Sequence, residues 1–457
     1  MKAIIRFNNK TLEAHLNKST IVDELYVMFT LETTPQYKRL KLDVHPKQDI
    51  LLQSIEIQLD APLDKNQSRI YCNGFLSSSE SRLYNFDEIP DHLSAIAKPF
   101  LGNSGDYHFS FIPRKKGILH SWSYAYIQNN NLKEIDFIGS LNENTGFTCI
   151  LYNADNQTVT IKKDVENLQL THSYPAIDVV MYSRDNPFYL FPKFRNTPSV
   201  FETYFNLQNI KKPQNIPKEN WTNFQKNATI FSENTIIEDL KLIAENKAEL
   251  EFYTIHEGWT NHIGDWVSIK NTFPNGMAKM AQLIHNQGLK ANLCLSPFVV
   301  EAESQIFKTK PDWILRSNGK PLKVGFSPST LGWSQPYLYA LDFYNKDVQE
   351  YLTGVFHTIL DKWGYDMVQL DLLYAVCILP RPNKTRGQIM HDALAFLRQI
   401  VGNKMILAGD VPLASAYGLV DYCRVGSDKY SHRENQILKF LKYRERNSAL
   451  SLLKFEK

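Results

Sequence analysis

The feature that most constrains this chain is a unit repeated through its second half: an amphipathic helix, a glycine, then a short apolar run ending in polar residues. Residues 346–362 place Val348, Tyr351, Leu352, Val355, Phe356, Ile359 and Leu360 at the spacing of one apolar helix face. Gly364 ends that helix, and MVQLDLLYA follows as a buried strand. Residues 386–401 form another helix, with Gly402 after it and KMILAGDV as the next strand. Upstream, a helix over 275–287 meets Gly288, where a left-handed C-terminal cap would sit, and then LKANLCLSPF. Repeated units of this kind predict a parallel sheet. Polar residues at the strand ends suit a (β/α) barrel of the TIM type, with its active site at the C-terminal face of the strands. A doubly wound sheet is the alternative, but no GxGxxG or GxxxxGK[ST] loop supports it.

The first 200 residues have another rhythm. SIEIQLD (54–60), RIYCNGFL (69–76), YHFSFIPR (107–114), TGFTCILYN (145–153) and TVTIKKD (158–164) alternate apolar and polar residues between turn-forming clusters. That pattern predicts an antiparallel β-sandwich. The expected architecture is multi-domain, which suits a chain of 457 residues. A β-sandwich domain over 1–200 precedes a (β/α) catalytic barrel over 215–457. Prolines at 187, 192, 198, 213 and 217 mark 185–220 as a linker or extended crossover.

A net charge of +3 with no long basic run excludes the electrostatic footprint of a nucleic-acid binder. No window reads as a signal peptide or a spanning helix, so no membrane partner is expected. Cys72, Cys149, Cys294, Cys377 and Cys423 are scattered and odd in number, without CxxC spacing. Neither a disulfide framework nor a zinc site follows, and a reducing cytoplasm is the expected location. The aromatic content of 12% suits sugar stacking, and equally suits large hydrophobic cores.

Three carboxylates stand where barrel chemistry is usually found: Asp342 ends YALD, Asp371 ends MVQLD, and Asp428 ends DYCRVGSD. Each alone reads equally well as a helix cap or a loop residue. Three at consistent positions favour function. Glycoside cleavage needs one ionised carboxyl group to attack the anomeric carbon and one protonated group to serve the leaving oxygen. Two strand ends of a barrel can present them at the roughly 5–5.5 Å separation that retention of configuration requires. Arg424, four residues before Asp428, could hold a sugar hydroxyl or depress a carboxylate pKa, or form an ordinary ion pair. HExxH and GxSxG are not found, which weighs against a metallohydrolase and a serine hydrolase. His256, His262, His285 and His391 read as surface or core residues.

These segments resemble the retaining α-galactosidases of glycoside hydrolase family 36, the melibiases. HSWSYAYIQ (120–128) and GSLNENTGFTCI (139–150) resemble the family's N-terminal sandwich. GDWVSIKNTFPNGMAKMAQLIHNQGLKANLCLSPFVVEAES (264–304), followed by KPDWIL (310–315), resembles its first βα turns. YALDFYNKDVQEYL (339–352) and WGYDMVQLDLLYA (363–375) are similar to its nucleophile region, and LAGDVPLASAYGLVDYCRVGSD (407–428) to its acid/base region.

The resemblance implies that Asp371 is the nucleophile and Asp428 the general acid and base. It implies that Arg424 and Asp342 contact the sugar or the nucleophile, and that Trp259 and Trp266 lie near the sugar pocket. Gln369, Glu257 and Asp265 fall among the matched positions and join the substrate-binding set. The family needs no metal or organic cofactor, and it acts on terminal α-linked galactose of melibiose, raffinose-type oligosaccharides or galactomannans. Frequent homo-oligomeric assembly comes with it as an expectation.

Four segments depart from the family pattern. Gln369 stands where the family has a lysine, and a neutral amide makes a weaker hydrogen bond than an ammonium. His256 and Glu257 stand where two aspartates bind sugar hydroxyls. Asn220, Trp221, Thr222, Asn223 and Phe224 keep the Gly-Trp-x-Ser-Trp pattern only in part, and Leu407, Ala408, Gly409 and Asp410 replace Leu-Gly-Cys-Gly. The resemblance also places the family's seventh and eighth strands and C-terminal β domain beyond Lys457, leaving the barrel incomplete. Three functions follow: an α-galactosidase, the same mechanism on another α-glycoside such as an α-N-acetylgalactosaminide, or a catalytically impaired sugar-binding homologue.

Overall fold

A computed structural model describes residues 1–61, 66–89, 103, 105–129, 134–182, 188–189, 199–210, 219–222, 231–245, 250–326 and 337–425. In the N-terminal half the alternating segments form two antiparallel sheets. One runs in the order Lys10–His15, Lys2–Phe7, Ile50–Asp60, Thr158–Lys163, Thr148–Asn153, Ile118–Trp122, with Leu168–Leu170 also on Ile50–Asp60. The other runs Lys18–Ile21, Leu25–Thr33, Lys38–Pro46, Tyr174–Tyr182, Glu134–Ser140, Tyr124–Asn129, Ser68–Cys72, Arg82–Tyr84. Ile5, Ile55, Ile57 and Ile161 of the first and Phe29, Leu42, Val44 and Val179 of the second share one core, each 0% exposed. Each such side chain contributes about 1.5–3 kcal/mol by leaving water.

The expected strand YHFSFIPR is a series of turns. Its shape is set by a polar anchor: Asp106 accepts from Arg114 at 2.7 Å, His120 at 2.7 Å and the Trp122 indole at 3.2 Å. Phe109 packs on Phe75 and Trp122 at 5.1 and 4.6 Å between ring centroids.

The second half contains a six-stranded sheet, paired in parallel in chain order: β1 (Glu219–Thr222), β2 (Leu250–Ile255), β3 (Lys290–Leu295), β4 (Met367–Leu370), β5 (Met405–Ala408) and β6 (Tyr422–Cys423). Helices α1 (Val200–Leu207), α2 (Glu233–Glu245), α3 (Gly276–Asn286), α4 (Gln305–Thr309), α5 (Lys346–His357) and α6 (Arg386–Val401) accompany it. The glycine stops behave as their positions suggested: Gly288, Gly364 and Gly402 have φ of 74°, 80° and 62°. Helix α6 opens on a capping box between Thr385 and Gln388. The apolar repeat after α5 continues as a π-helical turn over Thr358–Lys362. MVQLDLLYA is a strand only as far as Leu370; Leu372, at φ 53°, turns the chain into a 3-10 turn over Leu373–Cys377. Helix α1 falls within the segment read as a linker and docks on the sandwich, where the Tyr204 hydroxyl donates to the Ser140 carbonyl at 2.6 Å.

The reading of Asp342 as a parallel-strand end needs correction. Tyr337–Ala340 pairs antiparallel with Val299–Glu301 and Lys323–Phe326, in a small sheet inserted between β3 and β4. An apolar tetrad followed by a carboxylate has the same local signature in either setting.

Sandwich and parallel unit meet through buried contacts. Arg386, at the start of α6, bonds Asp164 at 3.0 and 3.2 Å, pairs with Glu166, and donates to the Ile378 carbonyl at 3.0 Å. Gly387 passes so close to the sandwich that a Cβ there would lie 2.6 Å from Gly146 Cα. Among the described residues no helix is long and apolar enough to cross a membrane.

Candidate active site

The C-terminal ends of β2 to β6 bring together His256 and Glu257, Cys294 and Ser296, Gln369 and Asp371, Gly409 and Asp410, and Arg424. Side chains two residues apart on a strand share a face, so Cys294 with Ser296 and Gln369 with Asp371 point the same way. Cys294 is in register with Gln369. His256 from β2 and Arg424 from β6 both come within 3.9 Å of Asp371 Oδ2, although each lies two strands from β4. Strands in a flat sheet stand about 4.8 Å apart. Convergence on one oxygen therefore needs a sheet that curls with this face concave.

Asp371 is 8% exposed. Its Oδ2 accepts from the Gln369 amide at 3.1 Å and the Cys294 thiol at 3.3 Å, while its backbone N–H donates to Leu295 at 3.1 Å. Oδ1 is buried with no hydrogen-bond partner. A Cβ at position 409 would lie 2.1 Å from Oδ1, so the glycine is what leaves that oxygen its space. A buried carboxylate with one oxygen tethered and one unsatisfied is expensive to keep. It is a shape suited to a group that bonds a ligand or a reacting atom.

The surrounding charges act on one another. Burial pushes the Glu257 carboxyl up to about 7, and Asp371 pushes the same way; the hydrogen bond from the Ser296 hydroxyl opposes them. Burial likewise raises Asp410, while the hydrogen bond from the Ser78 hydroxyl lowers it and Asp371 raises it. Burial raises the Cys294 thiol well above its ordinary value, with Asp371 and Glu257 adding to the effect. Asp410 holds φ 50°, and its carbonyl accepts the Tyr374 N–H at 3.0 Å.

Of the residues singled out from sequence, Asp371, Gln369, Glu257 and Arg424 stand together at this face. Asp342 is engaged elsewhere: it pairs with Arg381 and accepts the Tyr344 N–H at 3.0 Å. Asp265 accepts the backbone N–H groups of Gln305 and Ile306 at 2.8 and 3.3 Å, in the first turn of α4. Trp259 and Trp266 are 0% and 1% exposed, and Trp259 donates to the Cys294 carbonyl at 3.0 Å. Both rings are enclosed, and Trp259 is tied to β3 while Trp266 packs on Trp259 at 6.0 Å between ring centroids. Asp428, together with Asn223 and Phe224, lies outside the described residues.

Cys294, Ser296 and Ser78 escaped the sequence reading as members of this constellation. For Cys294 and Ser296 a signal existed, the polar alternation at the end of an apolar strand. Ser78 arrives from the sandwich, 332 positions before Asp410 in the chain, and no local pattern could announce it.

Residues 216–405 match the family model described as Melibiase. An α-galactosidase of Lactobacillus acidophilus is 31% identical over 155 residues, which are 32% of this chain and 19% of that protein. The stretch matched to an α-galactosidase of Pediococcus pentosaceus is 43% of this chain and 26% of that relative, at 25% identity. The chain thus matches well under two thirds of these relatives' length. Among solved structures, an α-galactosidase of Thermus thermophilus in complex with stachyose aligns with a TM-score of 0.65 at 23% identity, covering 93% of this chain and 82% of that one. At that identity the likeness speaks for the fold.

Proposed function

Through residues 216–405 the chain belongs to the melibiases, the α-galactosidases of glycoside hydrolase family 36, and from that premise we propose that it is a retaining glycoside hydrolase that releases terminal α-linked galactose. The observation that carries the reading is Asp371: a buried carboxylate at the end of β4, with Oδ2 tethered by Gln369 and Cys294 and Oδ1 facing the space left by Gly409.

Asp371 attacks the anomeric carbon as the glycosidic C–O bond breaks, and the carboxyl of Asp428 gives its proton to the leaving oxygen. A glycosyl ester on Asp371 results. Asp428, now ionised, takes a proton from water as that water attacks the same carbon, and galactose leaves with its configuration retained. Gln369 and Cys294 fix the carboxylate's rotation, so that its orientation is settled before substrate arrives. Arg424 balances its charge at low cost because it stands at 3.9 Å and keeps its own access to solvent. Glu257, raised to about 7, can donate as well as accept a hydrogen bond to a sugar hydroxyl near neutral pH. Trp259 acts by holding the Cys294 end of β3 with Trp266 packed on it, and Asp265 acts by holding α4.

The six parallel strands are in this reading part of a (β/α)8 barrel over 215–457, preceded by a sandwich domain over 1–200. The test is release of p-nitrophenol from p-nitrophenyl α-galactoside, with Asp371→Asn and Asp428→Asn as controls. Loss of turnover by about four orders of magnitude in Asp371→Asn is expected, in the range seen when a group of the catalytic unit is deleted. Turnover of the α-N-acetylgalactosaminide in place of the galactoside would move the substrate and keep the mechanism. Galactose binding without turnover of any aryl α-glycoside, by folded protein, would overturn the hydrolase reading in favour of a sugar-binding homologue.

A further inference from the structure

The chemistry proposed above gives the Cys294 thiol a part in holding Asp371 and leaves the His256 imidazole beside the same oxygen without a role. A buried cysteine at a strand end usually packs as a small apolar group. Here Cys294 is 0% exposed, yet its Sγ is 3.3 Å from Asp371 Oδ2, and His256 Nε2 is 3.9 Å from the same atom. The three donor atoms lie within 4.8 Å of one another.

We propose that His256, Cys294 and Asp371 form a binding site for a divalent transition-metal ion of borderline softness, of which zinc is the natural example, and that the ion shuts off the nucleophile. A nitrogen, a sulfur and a carboxylate oxygen are the donors zinc takes in tetrahedral sites, at about 2.0–2.1, 2.3 and 2.0–2.2 Å. Ligands at those radii stand about 3.5 Å from each other. The two distances to Asp371 Oδ2, 3.3 and 3.9 Å, bracket that value, and all three donor atoms lie within 4.8 Å of one another, so rotations about the side-chain bonds can close the set. Hard ions such as calcium or magnesium prefer all-oxygen sets and do not fit.

Two further features favour a ligand at this point. Asp371 is more than nine-tenths buried, and its Oδ1 has no hydrogen-bond partner. Glu257, on the next residue after His256, also has a buried oxygen, Oε2, without a partner. The coordinated species is the thiolate, so binding sends the Cys294 proton to solvent and one proton is released per ion bound. Arg424 opposes the ion, since its guanidinium and a cation compete for Asp371 Oδ2. Its side chain is 34% exposed and can swing away when a cation enters. An ion held by Asp371 removes the electron pair that would attack the sugar, so metal and substrate exclude each other.

The site is tested on the full chain by titration with cobalt(II), whose thiolate charge-transfer and d–d absorption report sulfur ligation without any turnover. One cobalt per chain with a near-ultraviolet charge-transfer band is expected. Cys294→Ser should abolish that band in a protein whose circular dichroism is unchanged. His256→Ala should weaken cobalt binding by at least about tenfold, since loss of even an outer-shell partner typically costs about 10–100-fold. Arg424→Gln should tighten it. A folded protein that shows no band at millimolar cobalt overturns the proposal, as does a band that survives in Cys294→Ser. Because the readout is absorption, an enzyme inactive on α-galactosides would count against the hydrolase reading and leave this one standing or falling on its own result.

Discussion

Two buried aspartates, each facing an arginine, show how differently one fold can treat the same chemistry. Asp164 is 3% exposed and Arg386 is 4% exposed; the pair bonds at 3.0 and 3.2 Å, and Arg386 has Glu166 and a backbone carbonyl besides. Asp371 is 8% exposed, its arginine stands back at 3.9 Å, and one of its oxygens has no partner. The first carboxylate has both oxygens bonded to Arg386 and serves to lock the sandwich against α6. The second has been left with capacity to spare. Satisfaction marks a joint, and its deliberate incompleteness marks a site.

The comparison breaks first at the joint. Arg386→Met leaves Asp164 buried without its counter-charge, and removal of one partner of a buried pair costs about 3–5 kcal/mol. A large fall in the thermal midpoint is expected from calorimetry. Asp371→Asn should leave the midpoint unchanged or raise it, because an amide in that pocket is easier to bury than an ion. Equal losses of stability in the two variants would erase the distinction.

Gly409→Ala sharpens the same point within the site. The new methyl group would stand 2.1 Å from Asp371 Oδ1, so it is the carboxylate end of that side chain that must give way. Overpacking of this kind costs about 1–3 kcal/mol. Turnover should suffer more than stability, since the carboxylate must rotate out of its position to admit the methyl group. Unchanged kcat in Gly409→Ala would mean that Asp371 does not act from the rotamer seen here.

Much of the fold could be read from the sequence, because its signals are local. The apolar face of α5, the Thr385 capping box and the glycines at 288 and 402 each fix a boundary from within a few residues. Misreadings arose where one local pattern serves two tertiary settings. YALD looks like a barrel strand, yet pairs antiparallel beside the parallel sheet. YHFSFIPR alternates like a strand, yet is wound into turns around Asp106. Motif resemblance picked out Asp371, Gln369 and Arg424, which the structure brings together, but side-chain direction lies outside its reach, so the enclosure of the Trp259 ring could not be foreseen. The convergence of β2, β3 and β6 on one oxygen depends on curl and register, which are properties of the whole sheet.

Glu257 gives the comparison a pH signature. Its folded pKa of about 7 lies above the ordinary carboxylate value of 4.5. Between those two values the folded protein holds a proton that the unfolded chain has released, so this group's contribution to stability is full below about 4.5 and is lost as pH rises through about 7. At 1.36 kcal/mol per pKa unit, discounted for partial solvent access, the fall is about 2 kcal/mol. Glu257→Gln should flatten the limb near 7, while the Asp164 carboxyl, which burial also raises, keeps its own contribution. A limb that persists in Glu257→Gln would assign it to another group.

The smallest effect belongs to Ser78, which belongs to the sandwich by sequence and to the site by position. Its hydroxyl donates to Asp410, and its neighbour Ser77 binds Val411 through the backbone at 2.7 Å. The backbone contact survives Ser78→Ala, so the loop should stay in place and only the side-chain bond be lost, at about 1 kcal/mol. The sign of its pH dependence follows from the direction of the shift: the Ser78 bond lowers an Asp410 carboxyl that burial raises, so it favours the ionised form. Its loss should therefore be felt where Asp410 is charged, and fade in acid where a protonated carboxyl no longer needs the donor. Urea denaturation of Ser78→Ala at neutral and acidic pH reads this difference. A loss equal at both would mean that Ser78 holds the loop and not the charge, and the sandwich would then touch the site only as a wall.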